Sequence, residues 1–394
     1  MKNIVIGVTS GIACYKALDL CSKLKKQNYN ITVIMTENAT KLISPLLFQT
    51  ITGNKVYTEI FDKDDIKVTH IELSKKADLV CIVPATYNLI GKVSSGIADD
   101  FLTTFIAACN SKKVMFFPAM NTNMYLNPIL QDNLNKLNNY GYRIFNPATG
   151  LLACGDNGIG KLPQIDEIFN EIVFEIERSS ELLNKNILIT AGGTLEPIDP
   201  VRYISNKSSG KMGYAIAKQA SLKGANVTLV STKPELDVPK GIDKVIYVKS
   251  AKEMHDVVLT ESKFNDYIFM VAAVSDFKVK NYSENKIKKN QLTELKIDLD
   301  LNPDILKDLS EIKPRTFTLI GFAAESNNIY ENAKQKLKNK NLDYIILNDI
   351  SDNTIGFNSE NNKVIIFDKN ENIIDIDKNT KDNVAKEILD KILI

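Results

Sequence analysis

Two segments of the chain begin alike, and this echo constrains the fold more than any other feature of the sequence. Residues 2–11 read KNIVIGVTSG, and residues 185–194 read KNILITAGGT. Each is a nearly continuous apolar run that enters a glycine-containing turn, which is typical of a buried parallel strand followed by a helix. A length of 394 residues also favours about two or three domains. We therefore predict two tandem domains of one α/β class.

Short apolar runs recur along both halves at the spacing of alternating strands and helices. The first half has them at 31–35, 79–83 and 114–117, and the second at 226–231, 244–248, 267–274, 318–325 and 344–349. This rhythm predicts doubly wound, Rossmann-like parallel sheets. Between the halves, an acidic amphipathic stretch predicts a helix that ends near Asn184, so we place the domains at 1–184 and 185–394. Neither glycine turn reads GxGxxG, so the usual dinucleotide fingerprint is absent from both.

Composition and charge exclude several classes of protein. The chain carries 49 basic and 48 acidic residues, a formal charge of +1, so no overall field favours nucleic acid or membranes. No apolar run approaches the ~20 residues that span a bilayer, and the first residues enter a strand without a secretory signal, so we expect a cytoplasmic protein. The five cysteines lack CxxC spacing, and only Cys154 lies in a loop. With two histidines in the chain, a His/Cys metal cluster is not expected.

Three polar segments lie beside predicted strands of the first half, and each allows two interpretations. Thr9, Ser10 and Gly11 could offer amides and hydroxyls to a phosphate, or they could form only a tight strand-to-helix turn. His70 precedes an apolar strand and could be catalytic or structural. Asn121 could bind a ligand or cap a helix. None of these segments decides the function by itself.

Taken together, the segments of the first half resemble the flavin-containing cysteine decarboxylases. GVTSGIACYK, THIELSKKAD, PATYN, GIADDFLTT, PAMNTNM and ACGDNGIGK occur in the order and spacing of that family, and the first half resembles phosphopantothenoylcysteine decarboxylase. The resemblance implies a domain of that fold, with His70 and Asn121 at the substrate and Cys154 as proton donor. It also implies an FMN site formed by Thr9, Ser10, Gly11, Thr36, Ala85, Thr86 and Asn88.

The implied chemistry suits these residue types. A β-thiol carboxylate loses carbon dioxide reluctantly because the carbanion has no sink for its charge, and flavin supplies that sink by oxidising the thiol to a thioaldehyde. Decarboxylation then gives a stabilised enethiolate, and return of the hydride with a proton completes the product. Asn121 could hold the carboxylate through amide donors, and His70 could orient or deprotonate the thiol. Cys154, expected in an apolar enclosure, could stay protonated and donate the proton.

The loop around Cys154 departs from the family and also imitates another motif. Lys161 stands where the family commonly has arginine, and Ser10 stands where a glycine is expected; we interpret both as tolerated variation. Residues 155–161 match GxxxxGK, one residue short of a P-loop. Because Leu162 follows where a P-loop needs a Ser or Thr for magnesium, we interpret this match as coincidence.

The second half contains another candidate anion site. Ser208, Ser209 and Gly210 precede an amphipathic helix whose first turn would present free amides. Lysines cluster beyond predicted strand ends at 286–289 and at Lys336 and Lys340. In isolation such clusters are usually solvated surface, but beside a phosphate-type turn they favour a polyanion with a metal ion.

This half resembles the phosphopantothenate-cysteine ligase domain through AGGTLEPIDPVRYISNKSSGKMG, AAVSDF, KIKK, NPDIL and GFAAE. The resemblance implies that the carboxylate of 4′-phosphopantothenate attacks the α-phosphate of CTP with Mg²⁺ present, and that cysteine then displaces CMP. Asn206 matches the asparagine that handles the acyl-cytidylate, and Lys286 matches the lysine that assists amide formation. The implied CTP contacts are Ser208, Gly210, Asp276, Lys286, Pro303, Asp304, Ile305, Leu306, Phe322, Lys336 and Lys340.

Bacterial members of these families fuse the decarboxylase and the ligase in the order found here, which implies a bifunctional enzyme of coenzyme A biosynthesis. It would join 4′-phosphopantothenate to cysteine and convert 4′-phosphopantothenoylcysteine to 4′-phosphopantetheine. Two alternatives remain: only one half is active, or the chain is a non-catalytic flavin-binding regulatory subunit. The presence of Asn121, Cys154, Asn206 and Lys286 favours the bifunctional enzyme. The resemblance also implies a homo-oligomer with trimeric decarboxylase and dimeric ligase contacts, compatible with a dodecamer.

Overall fold

The computed structural model of the chain describes residues 1–60, 69–288, 294–325, 329–349, 359–370 and 372–394. Contacts divide the chain into two compact units, Met1–Glu177 and Arg178–Ile394, which we call the first and second units. Within the described residues, no helix is long and apolar enough to cross a membrane.

The first unit is built around a parallel sheet with strand order β3-β2-β1-β4-β5-β6, and a separate hairpin pairs β7 with β8. The strands are β1 (Asn3–Val8), β2 (Asn30–Met35), β3 (Val56–Tyr57), β4 (Leu79–Ala85), β5 (Val114–Pro118), β6 (Arg143–Ile144), β7 (Ala148–Leu151) and β8 (Asn157–Lys161). The helices are α1 (Lys16–Lys26), α2 (Glu37–Thr40), α3 (Pro45–Thr52), α4 (Thr69–Lys76), α5 (Tyr87–Ser94), α6 (Phe101–Ala107), α7 (Thr122–Tyr125), α8 (Pro128–Asn139) and α9 (Ile165–Glu177), with 3₁₀ turns at Ile12–Tyr15 and Ser111–Lys113.

The second unit contains a larger sheet with strand order β13-β12-β9-β14-β17-β18-β19-β20, in which β19 pairs antiparallel with both β18 and β20 and the other pairings are parallel. The strands are β9 (Asn186–Ala191), β10 (Leu195–Pro197), β11 (Tyr203–Ser205), β12 (Asn226–Ser231), β13 (Lys244–Tyr247), β14 (Tyr267–Met270), β15 (Phe277–Val279), β16 (Leu299–Leu301), β17 (Thr318–Glu325), β18 (Tyr344–Asp349), β19 (Asn361–Asp368) and β20 (Ile373–Thr380). The helices are α10 (Lys211–Leu222), α11 (Ala251–Glu261), α12 (Ile305–Glu311), α13 (Ile329–Asn339) and α14 (Lys381–Leu393), with a 3₁₀ turn at Ser262–Phe264.

The apolar opening strands of the two halves are buried on both faces. In β1, Ile4 and Ile6 pack into one hydrophobic cluster while Val5 packs into another on the opposite face. In β9, Ile187 and Leu188 divide between two clusters in the same way. Each such side chain contributes about 1.5–3 kcal/mol on burial, so a continuous apolar run is what a strand covered by helices on both faces requires. The predicted doubly wound α/β fold is confirmed in both units.

The division between the units lies before the predicted position, because the acidic helix ends earlier than expected. Helix α9 stops at Glu177, whereas the sequence predicted a helix that continues to about Asn184. The residues that follow bind to the second unit: the Ser179 N–H donates to the Leu222 carbonyl at 2.7 Å, and Leu182 is buried in a core of that unit. A charge pattern along a helix does not reveal these backbone contacts.

Strands β19 and β20 were not predicted from the sequence. They form an antiparallel hairpin that extends the second sheet beyond β18. The Asp368 carboxylate accepts hydrogen bonds from the N–H groups of Asn370 and Asn372 and thereby stabilises the turn between the strands. The apolar core of β19, with Val364 and Ile366 buried, resembles a parallel strand in sequence, but β19 pairs antiparallel with β18.

Candidate functional site

The predicted FMN residues of the first unit lie where its strand order reverses, between β1 and β4. Thr9 follows β1 and is buried, and its hydroxyl donates to the carbonyl of Pro84 in β4 at 2.7 Å. Thr36 follows β2, and its N–H donates to the carbonyl of Val8 at 3.1 Å. These bonds join the carboxyl ends of three adjacent strands, which is where open α/β sheets bind ligands.

The other predicted FMN residues lie around the same strand ends. Ser10 is exposed, Gly11 leads into the 3₁₀ turn before α1, and Ala85 is the buried last residue of β4. Thr86 is the N-cap of α5, and Asn88 lies exposed in its first turn. Within the described residues no side chain caps α5, so its first amides remain available to an acceptor.

Asn121 and Cys154, distant in sequence, are in direct contact. The side-chain amide of Asn121 donates to the sulfur of Cys154 at 3.4 Å, and its oxygen accepts from the N–H of Asn123 at 2.8 Å. Asn121 is the N-cap of α7, so capping fixes the amide oxygen and turns the amide nitrogen toward the thiol. The thiol in turn donates to the carboxylate of Asp156 at 3.3 Å.

The β7–β8 hairpin holds this pair in place. Cys154 lies in its loop, and the Met120 N–H donates to the Gly160 carbonyl at 2.9 Å, which ties the segment before Asn121 to β8. A cavity of about 460 Å³ opens between the hairpin and the turn after β1. Its lining includes Gly11, Tyr15, Lys16, Asn121, Cys154 and Lys161.

Three sequence expectations for the first unit can be compared with the structure. Cys154 is exposed and faces a carboxylate, so the expected apolar enclosure of its thiol is wrong for this structure. His70 lies partly exposed in the first turn of α4, and within the described residues no hydrogen bond joins it to Asn121 or Cys154. The GxxxxGK match lies in the hairpin and its last five residues belong to β8, whereas a P-loop leads from a strand directly into a helix.

Most predicted nucleotide residues of the second unit line one cavity of about 520 Å³. They come from four separate segments: Asp276, Pro303 to Leu306, Phe322, and Lys336 with Lys340. Asp304 caps α12 by accepting from the Lys307 N–H at 3.1 Å, and it also pairs with Lys340. The structure therefore brings together an apolar floor, a helix N-terminus and two lysines at the carboxyl ends of β14 and β17.

Ser208 and Gly210 lie in a second, smaller cavity. Four residues line both this cavity and the larger cavity of the second unit: Ala272, Ala273, Phe322 and Ala323. Asn206 lies at this shared wall, because its side-chain amide donates to the carbonyls of Ala273 at 3.2 Å and Val274 at 3.3 Å. The resemblance implied that Ser208 and Gly210 contact the same nucleotide as the residues of the larger cavity, whereas here they line a separate one.

Lys286 is exposed and lines neither cavity, but the residue beside it is held firmly. The buried carboxylate of Asp199 accepts from the Ile287 N–H at 3.1 Å, and Arg202 donates to the Ile287 carbonyl. Burial alone would raise the pKa of Asp199, but the N–H donors of Val201, Ile287 and Arg202 outweigh it and lower that pKa. The segment that carries Lys286 is thus anchored to the β10–β11 hairpin. The last lysine of the predicted 286–289 cluster lies outside the described residues.

A histidine connects helices α11 and α12, and α12 begins at the larger cavity. His255 of α11 contacts Asp308 of α12 through Nε2 at 2.8 Å and its neighbour Asp256 through Nδ1 at 3.0 Å. Burial lowers the pKa of His255, and the two carboxylates raise it by more, so the net shift is upward. Among the residues described, no group of three or more His, Cys, Asp or Glu side chains forms a preformed metal site.

Comparison with known proteins gives matches over both units. Residues 1–177 match the family described as Flavoprotein, and residues 182–394 match the DNA/pantothenate metabolism flavoprotein C-terminal domain. The coenzyme A biosynthesis bifunctional protein CoaBC of Borreliella burgdorferi is 45% identical over 389 residues, 98% of each chain. The protein of the same name from Bacillus subtilis is 42% identical over 99% of this chain and 96% of its own. A crystal structure of the C-terminal domain of a CoaBC protein covers 54% of this chain and 96% of its own, at 40% identity and a TM-score of 0.47.

Proposed function

The chain belongs to the family of coenzyme A biosynthesis bifunctional proteins, and from this premise we propose how its two units divide the chemistry. The second unit joins 4′-phosphopantothenate to cysteine at the expense of CTP, and the first decarboxylates the 4′-phosphopantothenoylcysteine that results. We assign the activities to 1–177 and 178–394, which follow the compact units rather than the predicted boundary after Asn184. The contact between Asn121 and Cys154 carries the proposal for the first unit.

The residues of the first unit fit an FMN group. Thr9 and Thr36 connect three strand ends, and their hydroxyl groups suit the polyol chain of FMN. The uncapped N–H groups at the start of α5 lie beside these strand ends and suit its phosphate. The cavity of about 460 Å³ beside them has the size of an ordinary cofactor pocket, commonly about 300–1,000 Å³. FMN bound there would supply the electron sink that makes loss of carbon dioxide feasible.

Three side chains then act on the substrate of the first unit. Asn121 donates through its amide nitrogen and holds the carboxylate without neutralising it, since an ion pair would oppose loss of carbon dioxide. Cys154 delivers a proton to carbon, and Asp156 orients the thiol through the hydrogen bond that it accepts. We assign to His70, from the family resemblance, the orientation or deprotonation of the substrate thiol; it does not line the cavity.

In the second unit, the larger cavity binds CTP with Mg²⁺, and Asn206 stabilises the acyl-cytidylate at the wall that both cavities share. The substrate carboxylate attacks the α-phosphate and pyrophosphate leaves; the cysteine amine then attacks the acyl carbon and CMP leaves. Lys336 and Lys340 offset phosphate charge from the cavity wall. Lys286, carried on the segment anchored by Asp199, assists the second step.

The decisive assay supplies the full chain with 4′-phosphopantothenate, cysteine, CTP and Mg²⁺ and measures pyrophosphate and carbon dioxide together. We expect equal amounts of both and a yellow protein. Asn121→Ala should remove carbon dioxide release and keep pyrophosphate, and Asn206→Ala, assayed separately with 4′-phosphopantothenoylcysteine, should do the reverse, so each variant controls for the fold of the other. Pyrophosphate alone from the wild type would indicate a ligase, and neither product would indicate a regulatory flavoprotein.

We also propose that the chain works as a homo-oligomer in the cytoplasm, with trimeric contacts in the first unit and dimeric contacts in the second. Exposed apolar side chains at the cavity of the first unit support this proposal: Ile12, Tyr15 and Leu151 line that cavity. A neighbouring subunit would cover them. Sedimentation analysis of the full chain measures the assembly directly, and a monomer would contradict the proposal.

A further inference from the structure

Helix α12 forms part of the wall of the larger cavity in the second unit, so its position shapes the proposed nucleotide site. Residues 303–307, which include the first turn of α12, line that cavity. Asp304 caps the helix and pairs with Lys340, another residue of the lining. The helix has seven residues, about two turns, so its orientation depends on the contacts that it makes with neighbouring elements.

The beginning of α12 is tied to the loop after β14. The Asn302 N–H donates to the Asp276 carbonyl at 2.8 Å, and the Asn302 side-chain amide donates to the Ser275 carbonyl at 2.9 Å. Farther along the helix, Ile305 and Leu309 are buried in a hydrophobic cluster that also contains residues of α11. Apolar burial is not directional, so this packing holds α12 against α11 without fixing its rotation.

A histidine of α11 supplies a directional contact. His255 contacts Asp308 of α12 through Nε2 at 2.8 Å and its neighbour Asp256 through Nδ1 at 3.0 Å, so each ring nitrogen faces a carboxylate. The Asp308 N–H donates to the Asp304 carbonyl at 3.0 Å, one helical turn earlier. A single backbone hydrogen bond thus connects the residue that His255 holds with the residue that caps α12 and lines the cavity.

Helix α11 is a firm support for this contact. At its first residue, the Ala251 N–H donates to the carboxylate of Glu196 at 2.9 Å, and both residues are buried. Met254 and Val258 are completely buried in the core of the second unit. Because α11 is held by these contacts, the position of His255 is set before α12 docks against it.

The carboxylates also determine the charge of the imidazole. Burial lowers the pKa of His255, but its hydrogen bonds with Asp256 and Asp308 outweigh burial and raise that pKa. Lys252 donates to the second oxygen of Asp256 at 3.1 Å, and β12, which also packs against α11, contributes the apolar Val230 to their common core. An imidazolium carries an N–H on both nitrogens, whereas the neutral ring has only one. As pH rises through the folded pKa, one of the two contacts therefore loses its donor.

We propose that His255 is a positioning residue for the ligase reaction, because it joins α11 to α12 and thereby holds the first turn of α12 where the nucleotide binds. This assignment rests on the proposed function, in which the larger cavity binds CTP. His255 does not itself line that cavity within the described residues, so it acts on the nucleotide through Asp308. CTP should consequently bind more tightly to the protein with protonated His255 than to the protein with neutral His255.

The test measures pyrophosphate release by the full chain and its His255→Gln variant, with Mg²⁺, saturating 4′-phosphopantothenate and cysteine, and varied CTP. Glutamine has N–H donors at one atom only, so the variant imitates the neutral imidazole. KM for CTP should be about fivefold higher in the variant at about pH 6, the lower end of the usual coupling between linked sites. At about pH 9 the two KM values should converge. Comparison at equal pH cancels the titration of the substrates.

A purely structural role of His255 predicts a different result. It would lower the melting temperature and kcat and leave KM for CTP unchanged, or raise KM by the same factor at both pH values, and either result would overturn the proposal. Lys244→Gln is the matched control, because Lys244 pairs with Glu261 of α11 at 2.8 Å but connects that helix to β13. It should leave KM for CTP unchanged, and a rise equal to that of His255→Gln would also overturn the proposal.

A second measurement follows His255 in the wild type by NMR. The chain has two histidines, so the His255 signal is assigned by its absence from His255→Gln. Since protonation and nucleotide binding are linked reciprocally, CTP and Mg²⁺ without acyl substrate should raise the pKa of His255 by the logarithm of the same factor. An unchanged pKa would overturn the proposal. Asp308→Asn should abolish the increase, and an increase that persists there would come from nucleotide charge alone and would overturn the proposal as well.

Failure of this assignment can be distinguished from failure of the proposed function. A wild type that releases no pyrophosphate refutes the ligase function itself. An active wild type with an unaffected His255→Gln variant refutes only the role of His255.

Discussion

The Gly160→Ala variant tests whether the β7–β8 hairpin positions Asn121. Gly160 has φ of +132°, and a β-carbon there would lie 2.1 Å from the carbonyl oxygen of Met120. Ordinary contacts begin near 3.4 Å, so the two segments must separate by about 1.3 Å. The Met120 N–H bond to the Gly160 carbonyl, now 2.9 Å, would be lost.

The cost can be estimated from these contacts. Backbone strain of about 1–2 kcal/mol, overpacking of about 1–3 kcal/mol and one lost hydrogen bond of about 1 kcal/mol are partly relieved by movement, which leaves about 3 kcal/mol. Because Asn121 directly follows Met120, it would move by about 1 Å, and misplacement of that size costs about 100-fold in rate. We expect this loss in carbon dioxide release from 4′-phosphopantothenoylcysteine.

The same preparation provides an internal control, because pyrophosphate release depends on the second unit and should not change. Gly53→Ala is the matched variant: Gly53 also has a positive φ, of +72°, but a β-carbon there would meet nothing within 4 Å. It should lose about 1 kcal/mol of stability and no decarboxylase activity. If Gly160→Ala keeps its flavin and decarboxylates at the wild-type rate, the hairpin does not position Asn121.

Three further variants test individual side chains. Cys154→Ser should still release carbon dioxide but accumulate an oxidised enethiol, seen by mass spectrometry; normal 4′-phosphopantetheine would exclude Cys154 as the acid. Lys286→Gln should form pyrophosphate and acyl-cytidylate but transfer the acyl group poorly to cysteine, so undiminished amide formation would remove its role. His255 has a raised pKa, so its contacts with Asp256 and Asp308 stabilise the fold below its ordinary pKa, and this stability is lost as pH rises through the folded pKa. His255→Gln should therefore lower Tm more at about pH 6 than at about pH 8.5, and an equal effect at both would contradict this sign.

The strands that form the core of each sheet were predictable from the sequence because burial on both faces demands an unbroken apolar run. The ranges 79–83 and 114–117 correspond to β4 and β5, and 344–349 corresponds to β18. Strand pairs held by turns were not predictable in this way. The β7–β8 hairpin carries glycines and polar residues, so its sequence indicated only a loop.

Residues of the candidate site were predictable where family motifs carry them, but their contacts were not. Asp156 stands two positions after Cys154 in a quoted motif, yet only the folded hairpin turns its carboxylate toward the thiol. Lys381, which lines the smaller cavity of the second unit, belongs to no motif, and in the sequence its charge is typical of an exposed helix surface. Its burial depends on how α14 packs beside α10, which no local pattern specifies.

Lys286 illustrates why a matched motif is not yet a mechanism. The motif predicts a catalytic lysine, but the Lys286 side chain is exposed and lines neither cavity of the second unit. Because the side chain itself is not held by packing, its direction depends on how firmly the backbone of residues 286–287 is fixed. The backbone is held by Asp199, 88 positions before Ile287, whose carboxylate accepts hydrogen bonds from the N–H groups of Ile287, Val201 and Arg202. One buried carboxylate thus accepts hydrogen bonds from its own turn and from the segment that carries Lys286. A substitution of Asp199 would therefore disturb both the β10–β11 turn and the position of Lys286.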